Sequence, residues 1–317
     1  MHIHNDLQNE PGLSGLFDSV VYFSDEKQLT PVVPRALVRR GPFLAPYDYG
    51  PGITDRRQWV LRLSQACPAH CAYCYIKAVF PDAPPRFFYS LSDLDQELAV
   101  IKAQEKHPYI NAGENADSFA FDEQAKQSLI LYELARKHPD CTFELRTKLP
   151  SRVCRDFFLQ PALMNLIIAV SLNPAEISSA YEIGADSLEE RLSALEGFYQ
   201  HGYRISLRLD PLIYSRDFEK HYGSLFFRLD EFGIRKFSDI QIGGLRFARN
   251  QYAALAREKL PPDFLSGEFV KGLDGKWRYF IDVRLKMYAF LLERLKRCGV
   301  PVSLSNETAK CHRRLGL

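Results

Sequence analysis

The sequence has no apolar run of about 18 residues, the length that a transmembrane helix needs, so we expect no membrane span. A strong net charge is also missing: the formal charge is +2, which gives no overall attraction to nucleic acid, although a local basic groove is compatible with it. The amino terminus has no basic region followed by an apolar stretch, so a signal peptide is not expected. The seven cysteines lack the pattern of a secreted disulfide framework. These absences together predict a cytoplasmic protein.

Three of the cysteines, Cys67, Cys71 and Cys74, lie in one short loop with the spacing C-x3-C-x2-C and are followed by Tyr75. Three thiolates from one loop can hold three irons of a [4Fe-4S] cluster and leave the fourth iron without a protein ligand. Zinc is an alternative because thiolates also bind that ion, but structural zinc normally has four ligands from paired C-x2-C knuckles, and the sequence has no second knuckle. Buried apolar cysteines at a chance spacing are the remaining alternative. The spacing favours the cluster.

From Arg57 onward, short β-type runs alternate with helical runs. We predict strands over residues 57–64, 109–112, 142–147, 166–172, 203–209 and 239–242. We predict helices over residues 91–104, 122–137, 187–201 and 284–297, with a capping box at Ser187 and Glu190 and a further strand over 300–304. The alternation indicates an α/β fold in which parallel strands are joined by right-handed crossovers into a closed or partly closed barrel.

Polar residues follow most of the predicted strands. In a parallel barrel the chemistry lies at the carboxyl ends of the strands, so these residues are candidates for a site. They are Gly113, Glu114, Lys148, Ser171, Asn173 and Asp210. Polar residues commonly end strands, and each one alone is therefore weak support. Their joint placement at the end that also carries the cysteine loop favours a functional site there.

The cysteine loop resembles the signature of the radical S-adenosylmethionine (SAM) superfamily. Further stretches resemble the spore photoproduct lyase-like branch of that superfamily, and the resemblance covers roughly residues 57–285. These stretches are Thr147-Lys148, Ser171-Leu-Asn173-Pro, Tyr181-Glu182-x-Gly184, Ser187-Leu-Glu-Glu-Arg191, Gly202-Tyr203 ahead of Asp210-Pro211, and Asp274-Gly-Lys276-Trp-Arg278-Tyr279. The resemblance implies a partial (βα)6 TIM-like barrel with an amino-terminal wrap and a carboxyl-terminal extension of hairpin and helices.

The resemblance also implies roles for particular residues. Cys67, Cys71 and Cys74 would bind a [4Fe-4S] cluster that cleaves SAM reductively to a 5′-deoxyadenosyl radical, which abstracts a hydrogen atom from an organic substrate. Lys148 and Ser171 would contact SAM, Tyr75 would pack near the cofactor, and Glu114 suits the ammonium group of SAM. The rest of the expected cofactor-binding set is Gly113, Asn173 and Asp210. The implied partners are an electron donor such as flavodoxin or ferredoxin and a substrate that is a nucleic acid or nucleotide.

One position departs from the lyases. There a cysteine after the second strand returns a hydrogen atom to the repaired thymine, whereas Glu114 holds this position here and a carboxylate has no weak S–H bond. The function therefore stays open between action on a nucleobase or DNA lesion, action on a peptide or small metabolite, and a non-catalytic iron–sulfur or zinc protein. A hairpin over residues 267–279 could bring Arg278 and Tyr279 to an extruded base. An ordinary surface hairpin is the alternative.

We expect three parts in the chain. Residues 1–56 are rich in proline, glycine and aspartate and should form an extended segment with one short strand-like run at 19–23. His2 and His4 could bind a metal, but an unordered tail is the favoured interpretation. Residues 57–250 should form the barrel, and residues 251–317 an extension packed on it.

Overall fold

The computed structural model describes residues 2–7, 21–23, 35–37, 39, 41–80, 85–89, 91–248, 250–255 and 268–317. Its helices are α1 (Ile76–Val79), α2 (Leu91–Gln104), α3 (Asp122–Ala125), α4 (Gln127–Lys137), α5 (Ala175–Tyr181), α6 (Leu188–Gln200), α7 (Phe218–Phe232), α8 (Gln251–Leu255), α9 (Ile281–Leu295) and α10 (Ala309–Leu315). Among these helices, none is long and apolar enough to span a bilayer.

The strands of the described residues fall into one large sheet and several small ones. The first ten are β1 (His2–His4), β2 (Val21–Phe23), β3 (Arg35–Leu37), β4 (Leu44–Pro46), β5 (Ile53–Thr54), β6 (Trp59–Leu61), β7 (Ser64–Gln65), β8 (His70–Cys71), β9 (Arg86–Phe88) and β10 (Tyr109–Asn111). The others are β11 (Thr142–Thr147), β12 (Leu166–Ser171), β13 (Glu182–Ile183), β14 (Arg204–Leu212), β15 (Ile240–Gly244), β16 (Arg246–Phe247), β17 (Phe269–Lys271), β18 (Trp277–Tyr279), β19 (Val302–Leu304) and β20 (Glu307–Thr308).

The large sheet has the order β19-β15-β14-β12-β11-β10-β6-β4 within the described residues. Its six central strands, β6, β10, β11, β12, β14 and β15, lie side by side in chain order and are all parallel. The edge strand β19 is also parallel, and β4 is antiparallel. All six residues of β12 are buried, as expected for a strand covered on both faces. The predicted partial barrel is confirmed, and the carboxyl ends of its parallel strands all lie at one rim.

The helices predicted over residues 91–104 and 187–201 are found as α2 and α6, whereas the one predicted over 122–137 is interrupted. Ser187 caps α6 by accepting a hydrogen bond from the Glu190 amide, and the Glu190 carboxylate accepts one from the Ser187 amide at 2.7 Å. The single helix predicted over residues 122–137 is wrong, because Lys126 adopts a left-handed φ of 50° and separates α3 from α4. The Asp122 carboxylate accepts hydrogen bonds from the Ser128 amide and hydroxyl at 2.7 and 2.6 Å. This side-chain bonding replaces the helical pattern across the break.

Residues 2–4 form strand β1, which differs from the unordered tail expected there. Strand β1 pairs in parallel with β2 and β3 in a sheet of order β2-β1-β3-β9-β7. Ile3 is fully buried in this sheet. The partners are distant in the sequence, so a three-residue pattern gave no sign of the pairing. Of the strand-like run at 19–23, residues 19 and 20 lie outside the described residues and the rest form β2.

The carboxyl-terminal residues form a second small sheet beside the barrel. Strands β17 and β18 make an antiparallel hairpin, and β16 joins the far side of β18. Gly267, the first residue of the predicted hairpin, lies outside the described residues. Helix α9 begins at Ile281, three residues before the predicted start, and buries Met287, Tyr288 and Leu291. The hairpin is thereby joined through β16 to the segment that follows barrel strand β15.

Candidate active site

A cavity of about 460 Å³ lies at the carboxyl ends of the barrel strands. The residues of the sequence-predicted set that line it are Cys67, Cys71, Cys74, Tyr75, Gly113, Glu114, Lys148, Ser171 and Asp210. They come from the loops after β7, β10 and β11 and from the carboxyl-terminal parts of β12 and β14. Residues separated by more than a hundred positions in the sequence therefore meet in one place because parallel strands end at the same rim.

The three cysteines of the loop are all free thiols. Burial raises the pKa of both the Cys67 and the Cys71 thiol to about 12. Among the described residues, no three His, Cys, Asp or Glu side chains come together closely enough to hold a single metal ion. Three thiols that line one cavity are a donor set that suits an iron–sulfur cluster, because thiolates are the usual ligands of such clusters. The donor set therefore fits a cluster.

A buried network holds the cysteine loop from behind. The Glu182 carboxylate, which is fully buried, forms an ion pair with Arg191 at 2.7 Å and accepts a hydrogen bond from the Tyr73 hydroxyl. Strand β13 places Glu182 opposite Cys71 in an antiparallel pair with β8. The Asn173 side chain donates to Glu182 at 2.8 Å, so Asn173 lies behind the loop and outside the cavity lining. The loop is thus held by the pairing of β8 with β13 and by the hydrogen bond from Tyr73 to the buried Glu182 carboxylate.

The loop after β10 approaches the neighbouring strand closely at Gly113. A Cβ atom at this position would lie 2.5 Å from Cβ and 2.6 Å from the carbonyl oxygen of Arg146. The carboxylate of the next residue, Glu114, accepts hydrogen bonds at 3.2 Å from the Tyr75 hydroxyl and from the side-chain NH2 group of Asn111. The absent side chain at Gly113 lets the loop fold against β11, and this brings the Glu114 carboxylate beside Tyr75 at the cavity wall.

Asp117 organises the loop after β11, a role that the sequence pattern did not indicate. Its carboxylate accepts hydrogen bonds from the Thr147 hydroxyl at 2.8 Å and from the Lys148 amide at 2.5 Å. The Lys148 ammonium lies 5.7 Å from the ring centroid of Tyr73. Among the described residues, no carboxylate lies within 4.0 Å of this ammonium group. Lys148 therefore presents an unpaired cation to the cavity near the cysteine loop.

Two arginines of the cavity wall share a carboxylate inside the barrel. Glu144 on β11 is fully buried and accepts hydrogen bonds at 2.8 Å from both Arg146 and Arg208. Arg208 also pairs with Asp239 at 2.7 Å. Burial alone would raise the pKa of Glu144, but the two guanidinium groups hold it well below its ordinary value. The Arg-Glu-Arg arrangement fixes both guanidinium groups at the cavity wall.

Asp210 has its own arginine partner in the cavity. Its two carboxylate oxygens each lie 3.0 Å from the guanidinium of Arg246, which makes a two-pronged pair. Gly243 is required beside it, because a Cβ atom there would lie 2.5 Å from the Asp210 carboxylate. Sequence reasoning selected Asp210 from its place after a strand and did not select Arg246.

The two predicted substrate residues lie outside the cavity lining. Arg278 is 3% exposed and makes a two-pronged pair with Asp274, at 2.8 and 2.7 Å. Tyr279 is fully buried, and its hydroxyl accepts a hydrogen bond from the Tyr214 amide. The hairpin residue that does line the cavity is Lys276.

The parallel sheet forms a partial barrel with the cysteine loop at its carboxyl rim. No protein-family model and no curated protein sequence matches this chain. Its structure is similar to a spore photoproduct lyase variant with bound AdoMet and dinucleoside spore photoproduct, with a TM-score of 0.78 at 15% identity over 97% of this chain and 98% of that one.

Two further solved structures extend this comparison. Spore photoproduct lyase complexed with dinucleoside spore photoproduct gives a TM-score of 0.79 at 14% identity over 96% of each chain. Streptococcus suis SuiB gives 0.51 at 12% identity over 80% of this chain and 50% of that one. The predicted fold of the spore photoproduct lyase-like branch is thereby confirmed over nearly the whole chain.

Proposed function

We propose that this chain is a radical SAM enzyme that acts on an organic substrate. The observation that carries the proposal is the meeting of three free thiols with Glu114, Lys148 and Ser171 in one cavity at the carboxyl rim of the barrel. A [4Fe-4S] cluster at this site, reduced by one electron from an external donor, would supply the cleavage of bound SAM into methionine and a 5′-deoxyadenosyl radical, and this radical would take a hydrogen atom from the substrate to give 5′-deoxyadenosine. A protein with no catalytic role would not need this polar set opposite the cysteine loop.

The residues of the chain have separate tasks in this proposal. Cys67, Cys71 and Cys74 would hold the cluster as thiolates, and its binding would release their thiol protons. Lys148 and Ser171 bind the carboxylate of SAM, and Glu114 accepts a hydrogen bond from its ammonium group. Gly113 lets the loop after β10 pack against Arg146, and this packing places Glu114 at the cavity wall.

The substrate in this proposal is a nucleobase within a nucleotide or DNA lesion. It is supported by the similarity of the whole chain to a lyase structure that contains a dinucleoside photoproduct. Because Glu114 holds the place of the hydrogen-donating cysteine, the final hydrogen transfer must differ from that of the lyases. We further propose a cytoplasmic enzyme of three parts, 1–56, 57–250 and 251–317, that is reduced by a flavodoxin or ferredoxin.

Anaerobic reconstitution tests the proposal. The wild-type protein should bind about four irons and release 5′-deoxyadenosine from SAM after reduction. Cys71→Ala should lose the cluster, whereas the control Cys154→Ala should keep it, since Cys154 is buried against Ser128 outside the cavity. Stoichiometric zinc in anaerobically purified protein, or no 5′-deoxyadenosine from fully reconstituted wild type, would refute the enzymatic proposal.

A further inference from the structure

The described part of the cavity wall carries five cationic side chains, and they differ in whether a carboxylate neutralises them. Arg146 and Arg208 share Glu144, and Arg246 is paired with Asp210. Lys148 and Lys276 have no carboxylate within 4.0 Å among the described residues. The proposed function uses Lys148 for the carboxylate of SAM. Lys276 is therefore a second unpaired cation for which that function gives no role.

Lys276 reaches the cavity from the turn between β17 and β18, and this turn is held in a fixed shape. The buried ion pair between Asp274 and Arg278 crosses the turn, and the Lys276 amide donates to Asp274 at 3.3 Å. The Lys276 carbonyl accepts a hydrogen bond from the Gly272 amide at 2.8 Å. The segment before β5 covers the turn so closely that a Cβ atom on Gly50 would lie 2.6 Å from Cβ of Asp274. The backbone that carries Lys276 is thus positioned independently of any ligand.

Among the described residues, no carboxylate contacts the Lys276 ammonium group. It lies 5.7 Å from the ring centroid of Tyr47, which also lines the cavity. Burial and the nearby positive charge of Arg246 lower the pKa of Lys276, while Asp274 and Glu114 act in the opposite direction from a distance. A lysine in this environment is stabilised when an anion enters, because the anion compensates both the lost hydration and the charge of Arg246.

We propose that Lys276 binds an anionic group of the substrate, a phosphate or a carboxylate, inside the cavity. The inference rests on the proposed function in one respect, since that function assigns the other unpaired cation, Lys148, to SAM. It adds to the proposed substrate an anionic group, which Lys276 holds while the reacting carbon faces the rest of the cavity. Only one charged group is needed for this, which agrees with a chain whose formal charge is only +2.

A purely structural role for Lys276 makes a different prediction. If its side chain only covers Tyr47 through a cation–π contact, replacement should lower the thermal midpoint slightly and leave anion binding unaltered. The two roles are separated by titrating inorganic phosphate and, in separate experiments, acetate into the full-length protein by calorimetry. The titrations use a Lys148→Gln parent, so that Lys276 is the unpaired lysine that remains in the described wall of the cavity.

In this parent, adding Lys276→Gln should weaken binding of the preferred anion about tenfold or more, the usual effect of losing a hydrogen bond between charged groups. Lys276→Arg should restore much of the affinity. The control Lys271→Gln should leave it unchanged, because Lys271 is an exposed lysine of the same hairpin outside the cavity lining. Preference for phosphate indicates a phosphate-bearing substrate, and preference for acetate indicates a carboxylate.

Affinities within twofold of the parent for both anions after Lys276→Gln would overturn the inference. This measurement needs neither cluster nor SAM cleavage, so its result is independent of the reconstitution experiment. Absence of 5′-deoxyadenosine with a tenfold loss at Lys276 would reject the proposed enzyme and retain the anion site. Formation of 5′-deoxyadenosine with unchanged anion binding would retain the proposed enzyme and reject the anion site.

Discussion

Replacement of Glu144 by glutamine should destabilise the barrel strongly although it removes no atoms from the core. The carboxylate is fully buried and is the only one bonded to Arg146 among the described residues, at 2.8 Å, whereas Arg208 keeps Asp239 at 2.7 Å. If the glutamine NH2 group faced Arg146, two hydrogen-bond donors would oppose each other. Removal of one partner from a buried ion pair costs about 3–5 kcal/mol, because it leaves an uncompensated charge.

The assay is thermal unfolding of the cluster-free protein, followed by circular dichroism and fluorescence so that coincident transitions can be verified. For a chain of 317 residues, a loss of this size lowers the midpoint by roughly 4–8 °C. The control is Glu189→Gln, which breaks an exposed pair with Arg228 and should cost about 1 kcal/mol or less. A midpoint for Glu144→Gln equal to that of the control would show that the buried triad is not a source of stability.

Three further predictions concern backbone fit, helix capping and pH. Gly113→Ala should lower stability by about 1–3 kcal/mol and weaken SAM binding, whereas Gly197→Ala, which meets nothing within 4 Å in α6, should be neutral or stabilising in the same thermal scan. Ser187→Ala should cost about 1 kcal/mol in urea unfolding, since it removes the cap of α6. Arg278 helps to lower the pKa of Asp274 against the effect of burial, so the stability that this pair supplies is present above about pH 4 and is lost as the pH falls through the depressed pKa. The deficit of Arg278→Met in thermal midpoint should therefore be large at pH 7 and shrink toward pH 3.

The fold was predictable because its signals are local and repeated. Helices follow β10, β12 and β14, only 3-10 turns join β11 to β12, and strands that are neighbours in chain order among the six are also spatial neighbours in the sheet. The break at Lys126 was not predictable in this way, since it depends on how the Asp122 side chain bonds to Ser128 and Cys154. The pairing of β1 with β2 and β3 joins segments that carry only three residues each, which is too few for periodicity to be informative.

The site was predictable to the extent that strand ends define it. Position after a strand selected Glu114, Lys148 and Asp210, and all three line the cavity. The same rule selected Asn173, which bonds to Glu182 behind the cysteine loop. Spacing places a residue near the rim, but the direction of its side chain depends on partners elsewhere in the chain. The missing members of the site, such as Arg246, are those whose position depends on a partner from another strand.

The hairpin shows that residue type alone does not indicate which of its side chains lines the cavity. Arginine and tyrosine can stack on bases, so Arg278 and Tyr279 were natural candidates for substrate contact. For Arg278 to reach a ligand, its pair with Asp274 would have to open, and this would leave a carboxylate that is 1% exposed without its partner. Opening a buried pair of this kind costs about 3–5 kcal/mol, which a single contact to a ligand does not repay. Within the part of the chain that the structure describes, Lys276 has no such pair to break, so the same turn that confines Arg278 makes the lysine available.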